Sequence, residues 1–269
     1  MGDAVIVAAA RTPIGTARKG SLASLTAFEL GRLAVESAVK RAGIPTEDLD
    51  DIVLGEVLQG GGDIARYVAV ELGLTDVPGM AHNRHCASGM AAVQTAAANI
   101  RAGMDRVVVA GGTESISQSP QVFRKLPGSY AGVQPWLSPS HPETPDAPAT
   151  DMSITVGWNT AQVVGITREE MDAWAARSHQ RAIAAMDAGK FLDEIVPLKI
   201  TQPDGSVTDF SVDEHPRRDT TVEKLAALKV LHPEIEGFRS PRATAAAPTT
   251  PPQRSRSSTA TTPTPRCCT

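Results

Sequence analysis

The chain has 269 residues, 41% of them hydrophobic, and a formal net charge of −4 at pH 7, so it has enough material for a core in one or two domains. Its three cysteines, two of them adjacent near the end, exclude a disulfide framework and favour a reducing compartment. No apolar stretch reaches membrane-spanning length and no signal-peptide pattern opens the chain, so we expect a cytoplasmic protein with no membrane partner.

Strand-like and helix-like patterns alternate over the first part of the chain. Residues 4–10 form a continuous apolar run, which is typical of a strand buried on both faces. Thr26 and Glu29 have the spacing of a capping box, and the helix that they open should end at Gly43. The other patterns predict strands at 52–58 and 106–110 and helices at 64–72 and 86–100. This order predicts an α/β fold with a mainly parallel sheet, whose site lies beyond the carboxyl ends of the strands.

Residues 83–89, which read Asn-Arg-His-Cys-Ala-Ser-Gly, carry the clearest chemical signal. The pattern places Cys86 in the first turn of a helix that ends at Gly103, at a strand-to-helix junction. Unpaired N–H groups and the positive end of the helix dipole favour a thiolate there, and the thiolate is the nucleophile. The alternative is a free cysteine that packs as a small hydrophobic residue. The helix position by itself leaves both interpretations open.

Two segments between the predicted elements have distinctive compositions. The glycine-rich turn at residues 59–62 lacks the Lys-Ser/Thr ending of a P-loop and the spacing of the dinucleotide fingerprint, so we do not expect it to bind a nucleotide phosphate. Residues 120–148 hold seven prolines among serines, glycines and several aromatic side chains. Aromatic residues are poor material for a solvated tether, so this segment is predicted to be a long insertion and not a linker.

A second capping box, made by Thr167 and Glu170, predicts a long helix that ends at Gly189. Apolar residues at helical spacing, among them Trp174, should form its buried face. His179 stands among arginine and glutamine residues, which favours a solvated position over a role as a metal ligand.

The pattern after this helix predicts a hairpin and a short helix. Segments 194–200 and 207–212 flank a Pro-Asp-Gly turn, which is a hairpin signal. A third capping box begins at Thr220. Arg217 and Arg218 stand just before it, and two arginines ahead of a helix suit a phosphate or a planar base. Surface arginines are also common, so this pair alone does not decide between the two interpretations.

Residues 239–269 differ in composition from the rest of the chain. They contain no Leu, Ile, Val, Phe, Asp or Glu, but five arginines and six prolines. Such a segment cannot bury enough apolar surface to offset its ordering entropy, so we expect a disordered tail. Dispersed arginines without lysine or aromatic residues do not favour a nucleic-acid-binding arm. An Arg/Pro/Ala/Thr/Ser mixture that starts at one point is also what a GC-rich gene yields out of frame, and we favour that interpretation.

Three motifs together resemble a known family. They lie at residues 9–15 (Ala-Ala-Arg-Thr-Pro-Ile-Gly), at residues 83–89 and at residues 111–115 (Gly-Gly-Thr-Glu-Ser). Their order and spacing resemble the first half of a thiolase, meaning an acetyl-CoA acetyltransferase or a 3-ketoacyl-CoA thiolase of the bacterial fatty-acid-degradation type. The resemblance continues through residues 167–170 and 217–225.

The resemblance implies a thiolase-like layered α/β fold, of which this chain holds the first half together with an inserted loop domain. The domains would be residues 1–112 with the nucleophile, residues 113–238 as a CoA-binding loop domain, and residues 239–269 as the disordered tail. Cys86 would take an acyl group from acyl-CoA as a thioester, and its backbone N–H would form part of an oxyanion hole. Arg217 would lie against the adenine end of CoA.

The same resemblance implies partners and cofactors. CoA and acyl-CoA are then substrates, and neither a cofactor nor a metal is expected. The intact family implies a homodimer or homotetramer, with no nucleic-acid partner.

The sequence departs from the family pattern after residue 238. The family's second half carries a Gly-His-Pro histidine and a second, acid/base cysteine, and this chain has neither motif. The histidines and cysteines that do not fill these positions are His82, His85, His141, Cys267 and Cys268. We therefore expect impaired or absent turnover and a sheet with an open edge.

Two alternatives to an active thiolase follow from this departure. The first is a truncated thiolase fragment that binds CoA or a partner subunit without turnover. The second is the ketosynthase branch of the fold, which uses acyl-carrier protein. We disfavour the ketosynthase branch because the region around Arg217 resembles the CoA-dependent thiolases.

Overall fold

The centre of the molecule is a small parallel sheet. The computed structural model describes residues 3–201 and 205–239. Its sheet has three strands in the order β2-β1-β3, namely β1 (Asp51–Gly55), β2 (Gly79–His82) and β3 (Val108–Gly112). Both neighbours run parallel to β1. The predicted α/β fold with a parallel sheet is confirmed.

Helices cover both faces of this sheet. Helices α1 (Ala27–Ala42) and α2 (Ile64–Glu71) pack on one face, and α3 (Ser88–Ala102) packs on the other. Successive strand residues point to opposite faces, so Ile52 and Leu54 of β1 are both buried against α1 and α2. Among the described residues, none of the helices has the length and apolar character needed to cross a membrane.

Local signals placed the ends of α1 correctly. The hydroxyl of Thr26 accepts a hydrogen bond from the backbone N–H of Glu29 at 3.2 Å, and the carboxylate of Glu29 accepts one from the backbone N–H of Thr26 at 2.8 Å. Gly43 ends the helix in the left-handed conformation with φ 62°. Both predicted ends are therefore confirmed.

The predicted strand at residues 4–10 is wrong. None of these residues pairs into a strand, and Val5, Ile6 and Val7 are 73%, 83% and 65% exposed. A cavity of about 160 Å³ lies between the end of this run, α1 and the end of β3. A strand needs another strand to pair with its backbone groups, and no strand in the described part of the chain pairs with this run.

The rest of the described chain is built from short elements. They are β4 (Phe123–Lys125), β5 (Val133–Pro135), a π-helical turn (Ser153–Trp158), α4 (Asn159–Val164), α5 (Arg168–Asp187), β6 (Leu198–Thr201), β7 (Val207–Phe210) and α6 (Val222–Ala226). The pairing of β6 with β7 confirms the predicted hairpin, while most of its turn, residues 202–204, lies outside the described residues. The hairpin of β4 and β5 inside the proline-rich insertion was not predicted.

The β6–β7 hairpin packs against the first part of the chain. Leu198, Ile200 and Phe210 form a buried cluster with Leu22. Arg11 joins the same region through its backbone, because its N–H donates to the carbonyl of Glu194 at 3.0 Å. The proposed domain boundaries at residues 112 and 238 stay predictions, and the predicted disordered tail lies outside the described residues from residue 240 onwards.

Two details of the second region differ from the sequence analysis. Helix α5 has the predicted capping box, but its buried residues are Asp172 and Ala176, and Trp174 is 68% exposed. Helix α6 is capped by Thr221 and not by Thr220, since the hydroxyl of Thr221 accepts from a backbone N–H of its first turn. Both helices are present, but the buried residues of α5 and the cap of α6 differ from those predicted.

Candidate active site

Cys86 lies at the carboxyl end of the parallel sheet, between β2 and α3. It is a free and exposed cysteine. The prediction that Cys86 lies in the first turn of the helix is wrong by two residues. Helix α3 begins at Ser88, and Ala87 is its cap. The exposure of Cys86 excludes the alternative of a cysteine packed as a core residue, while its role as nucleophile stays a prediction.

Hydrogen bonds close the turn that carries Cys86. The backbone N–H of Arg84 donates to Ser88 Oγ at 2.8 Å, and Ser88 Oγ donates to the carbonyl of His85 at 2.6 Å. The backbone N–H of His85 donates to Asn83 Oδ1 at 3.1 Å. Ser88 is buried at 4% exposure, whereas Cys86 stands between these bonded residues and faces outward.

Two glycines let the backbones of β1, β3 and α3 approach closely at this end of the sheet. A Cβ on Gly55 would lie 2.5 Å from the backbone carbonyl carbon of Ser88. A Cβ on Gly112 would lie 3.2 Å from the carbonyl oxygen of Gly55 and 3.3 Å from the Cα of Gly89. The motif around Cys86 and the Gly-Gly-Thr-Glu-Ser motif, which are far apart in sequence, therefore meet here.

Glu114, of the Gly-Gly-Thr-Glu-Ser motif, holds the segment that leads into the glycine-rich turn. Its carboxylate accepts from the backbone N–H groups of Val57 at 3.0 Å and Leu58 at 3.3 Å, and from the side-chain amide of Gln59. These three donors are therefore already bonded to the carboxylate of Glu114. The role of Glu114 here is to join the end of β1 to the end of β3.

Glu56 is a residue that the sequence analysis missed. It is only 6% exposed, and its Oε2 has no hydrogen-bond partner among the described residues. Burial raises the pKa of Glu56, and the negative charges of Glu114 and Asp63 raise it further. An acidic residue that directly follows an apolar strand was the available signal. The Nε2 of His82, at the end of β2, is also buried without a partner.

Arg11, from the first motif, is a structural anchor. Its guanidinium donates two hydrogen bonds to Asp213, at 2.8 and 2.9 Å, and one to Glu194 at 2.8 Å. Asp213 also accepts from the backbone N–H of Ile14 at 2.8 Å. This network ties the first motif to the segment that follows the β6–β7 hairpin.

Arg217, the predicted CoA contact, lies exposed beside α5. Its backbone N–H donates to His179 Nδ1 at 3.1 Å, so His179 is not simply solvated as predicted. Burial lowers the pKa of His179, and the charges of Arg217 and His215 lower it further. Arg218 instead pairs with Asp187 through two hydrogen bonds of 2.8 and 2.6 Å.

The structure does not bring all the predicted site residues together. Among the described residues, no hydrogen bond or ion pair joins Arg217 to the turn that carries Cys86. Within the same ranges, no group of three or more His, Cys, Asp or Glu side chains could hold a metal ion. The expectations of metal-free chemistry and of CoA contact by Arg217 stay predictions.

Comparison with known proteins decides the family. The family model for the thiolase N-terminal domain matches residues 4–237. This chain belongs to the thiolase family. The matched range includes all three motifs on which the resemblance rested.

Named thiolases show how much of a full-length member the chain represents. It is 41% identical over 242 residues to an acetyl-CoA acetyltransferase of Pseudomonas aeruginosa, a match that covers 85% of this chain and 59% of the relative. It is 36% identical over 244 residues to a 3-ketoacyl-CoA thiolase of Bacillus subtilis, with the same coverage of each. The chain therefore spans about three fifths of the length of these relatives.

A solved thiolase supports the fold. The structure of the Bacillus anthracis acetyl-CoA acetyltransferase matches this chain with a TM-score of 0.74 and 36% sequence identity. The match covers 89% of this chain and 60% of the other. The predicted thiolase-like α/β fold is thus confirmed for the part that the chain contains.

Proposed function

We propose that this protein acts as a thiolase-type acyltransferase, in which Cys86 accepts an acyl group from acyl-CoA. The observation that carries the proposal is the exposed thiol on a hydrogen-bonded turn at the carboxyl end of the sheet. Relatives named acetyl-CoA acetyltransferase and 3-ketoacyl-CoA thiolase support the same chemistry.

The first chemical step is transfer of the acyl group to sulfur. The Cys86 thiolate attacks the thioester carbonyl carbon, and the carbonyl oxygen becomes an oxyanion. Backbone N–H groups near the start of α3, with that of Cys86 among them, stabilise this charge. The bond between carbon and the CoA sulfur then breaks, and CoA leaves as a thiolate that takes up a proton. Covalent catalysis thus divides one difficult exchange into two easier steps.

In the second step the thiolate of another CoA attacks the carbonyl carbon of the Cys86 thioester, the bond from that carbon to Sγ breaks, and Cys86 leaves as a thiolate, so that an acetyl or acyl unit moves between CoA thioesters. Arg217 binds the adenine end of CoA in this proposal, since an exposed guanidinium suits a planar base. The setting is fatty-acid degradation in the cytoplasm, and the working form is a homodimer or homotetramer.

Acetylation of Cys86 tests the proposal directly. The full chain, with Cys267→Ser and Cys268→Ser so that one thiol remains, is mixed with acetyl-CoA and digested for mass spectrometry. We expect one acetyl group on the peptide that contains Cys86 and the release of one equivalent of CoA. The matched control adds Cys86→Ala and should release no CoA.

A second assay separates acylation from turnover. The same proteins receive acetoacetyl-CoA and CoA, and we expect acetyl-CoA to form slowly or not at all, because neither the Gly-His-Pro motif nor the second cysteine motif occurs in this sequence. Acetylation that is absent from Cys86, or equal release of CoA by the Cys86→Ala variant, would contradict the proposed nucleophile.

A further inference from the structure

We infer that Ser88 is a positioning residue for Cys86, because its hydroxyl holds His85 in a left-handed conformation and so fixes where the thiol lies. This inference rests on the proposed role of Cys86. Ser88 does not itself touch the reacting atoms in this account; it acts through the turn.

The hydroxyl of Ser88 connects the two residues that precede Cys86. It accepts from the N–H of Arg84 at 2.8 Å and donates to the carbonyl of His85 at 2.6 Å. Two further backbone hydrogen bonds close the same turn, from Ala87 N–H to the Arg84 carbonyl at 3.1 Å and from Ser88 N–H to the His85 carbonyl at 3.0 Å. The hydroxyl therefore acts both as a donor and as an acceptor, and Ser88 is only 4% exposed.

His85 has a conformation that needs such support. Its φ is 47°, in the left-handed region, where a side chain with a Cβ is disfavoured. Strained backbone of this kind persists when surrounding bonds determine it, and it concentrates at functional sites. The carbonyl of His85 receives both the N–H and the hydroxyl of Ser88, so Ser88 is the residue that holds this peptide group in place.

The position of Ser88 is itself fixed by the sheet. A Cβ on Gly55 would lie 2.7 Å from the Cβ of Ser88, so β1 packs directly against this residue. The chain of contacts runs from β1 to Ser88, from Ser88 to His85, and from His85 to its neighbour Cys86. An exposed thiol thereby obtains a fixed position from the buried sheet.

Mobility at Cys86 tests this without depending on catalysis. In the full chain with Cys267→Ser and Cys268→Ser, a nitroxide spin label is attached to Cys86 and its spectrum is recorded. Ser88→Ala should increase the mobility of the label. Ser115→Ala is the matched control, because Ser115 is also buried and its hydroxyl donates to the carbonyl of Leu25 at 2.8 Å, outside the turn. It should leave the label's mobility unchanged.

The rate of Cys86 acetylation by acetyl-CoA, measured on unlabelled protein, gives the second readout. Ser88→Ala should lower this rate by about 10- to 100-fold, the size expected for a misplaced reacting group. Glycine adopts positive φ freely, so His85→Gly combined with Ser88→Ala should recover part of the lost rate. Thermal unfolding of Ser88→Ala and Ser115→Ala should show similar losses of stability, which separates positioning from general destabilisation.

Failure of the role of Ser88 and failure of the proposed function give different results. Unchanged label mobility in Ser88→Ala, or a double variant whose rate equals the product of the effects of Ser88→Ala and His85→Gly measured separately, would overturn the inference. A label that becomes mobile while no variant is acetylated would uphold the role of Ser88 in the turn and overturn the proposed function instead.

Discussion

At the scale of single residues, Arg11 and Asp213 show how the first motif is used. Burial raises the pKa of Asp213, but hydrogen bonds from Arg11 and from the N–H of Ile14 outweigh it, and the pKa of Asp213 ends below its ordinary value of 3.8. The pKa of Arg11 is raised, chiefly by the hydrogen bond to Asp213. The ionised pair of Arg11 and Asp213 therefore stabilises the folded protein.

The sign of the pH dependence follows from the lowered pKa of Asp213. A carboxylate with a folded-state pKa below its unfolded value stabilises the protein above the unfolded pKa, and this contribution is lost as the pH falls through the folded pKa. Asp213→Asn should therefore reduce the free energy of unfolding by about 1–3 kcal/mol near neutral pH, and by less as the pH falls below about 4. Urea unfolding at a series of pH values measures this.

Asp209→Asn is the control for this prediction. Asp209 lies on β7 of the same hairpin region and is exposed. Its replacement should change stability by no more than about 0.5 kcal/mol. Equal losses for the two variants would show that the network around Arg11 does not stabilise the fold.

At the scale of elements, close backbone approach sets the packing of helices on the sheet. Gly79 of β2 faces α2, and a Cβ there would lie 2.2 Å from the backbone nitrogen of Arg66. Backbone atoms in a helix cannot move aside as a flexible side chain can. Gly62, just before α2, has nothing within 4 Å of the same added atom.

These two glycines give a matched pair of variants. Gly79→Ala should lower the free energy of unfolding by about 1–3 kcal/mol, because the new methyl group pushes α2 away from β2. Gly62→Ala should change it by less than about 1 kcal/mol. Thermal or urea unfolding compares them, and a Gly79→Ala protein as stable as Gly62→Ala would mean that α2 is not seated on β2 as described.

At the scale of the whole molecule, the described residues include a run of exposed apolar side chains near the start of the chain. Val5, Ile6 and Val7 are largely exposed, and β3 is an end strand of the described sheet, with four partly buried residues and an exposed Gly112. Exposed apolar segments and open strand edges each favour association. Within the described residues the sheet ends at β2 on one side and at β3 on the other.

A charge placed within residues 5–7 tests whether this segment mediates association. Ile6→Lys should reduce concentration-dependent association, because it places a charge where an apolar contact would form. Sedimentation velocity over a range of protein concentrations measures this. Val163→Lys changes an apolar residue that is 88% exposed elsewhere, next to the end of α4, and should have little effect. Equal effects of the two variants would mean that residues 5–7 are not the surface of association.

The sequence by itself determined what depends on neighbours a few residues away. The capping boxes of α1 and α5 fixed where those helices begin, because each needs only a hydroxyl and a carboxylate three residues apart. The motif around Cys86 likewise marked a nucleophile candidate, since its residue types and spacing carry the resemblance to thiolases.

Only the tertiary structure decided what depends on distant partners. Residues 4–10 have the composition of a buried strand, but pairing and burial need another part of the chain, and no described element supplies it. The meeting of Gly55 with Gly112 and the burial of Glu56 were equally unpredictable, because both arise from contacts between segments far apart in sequence.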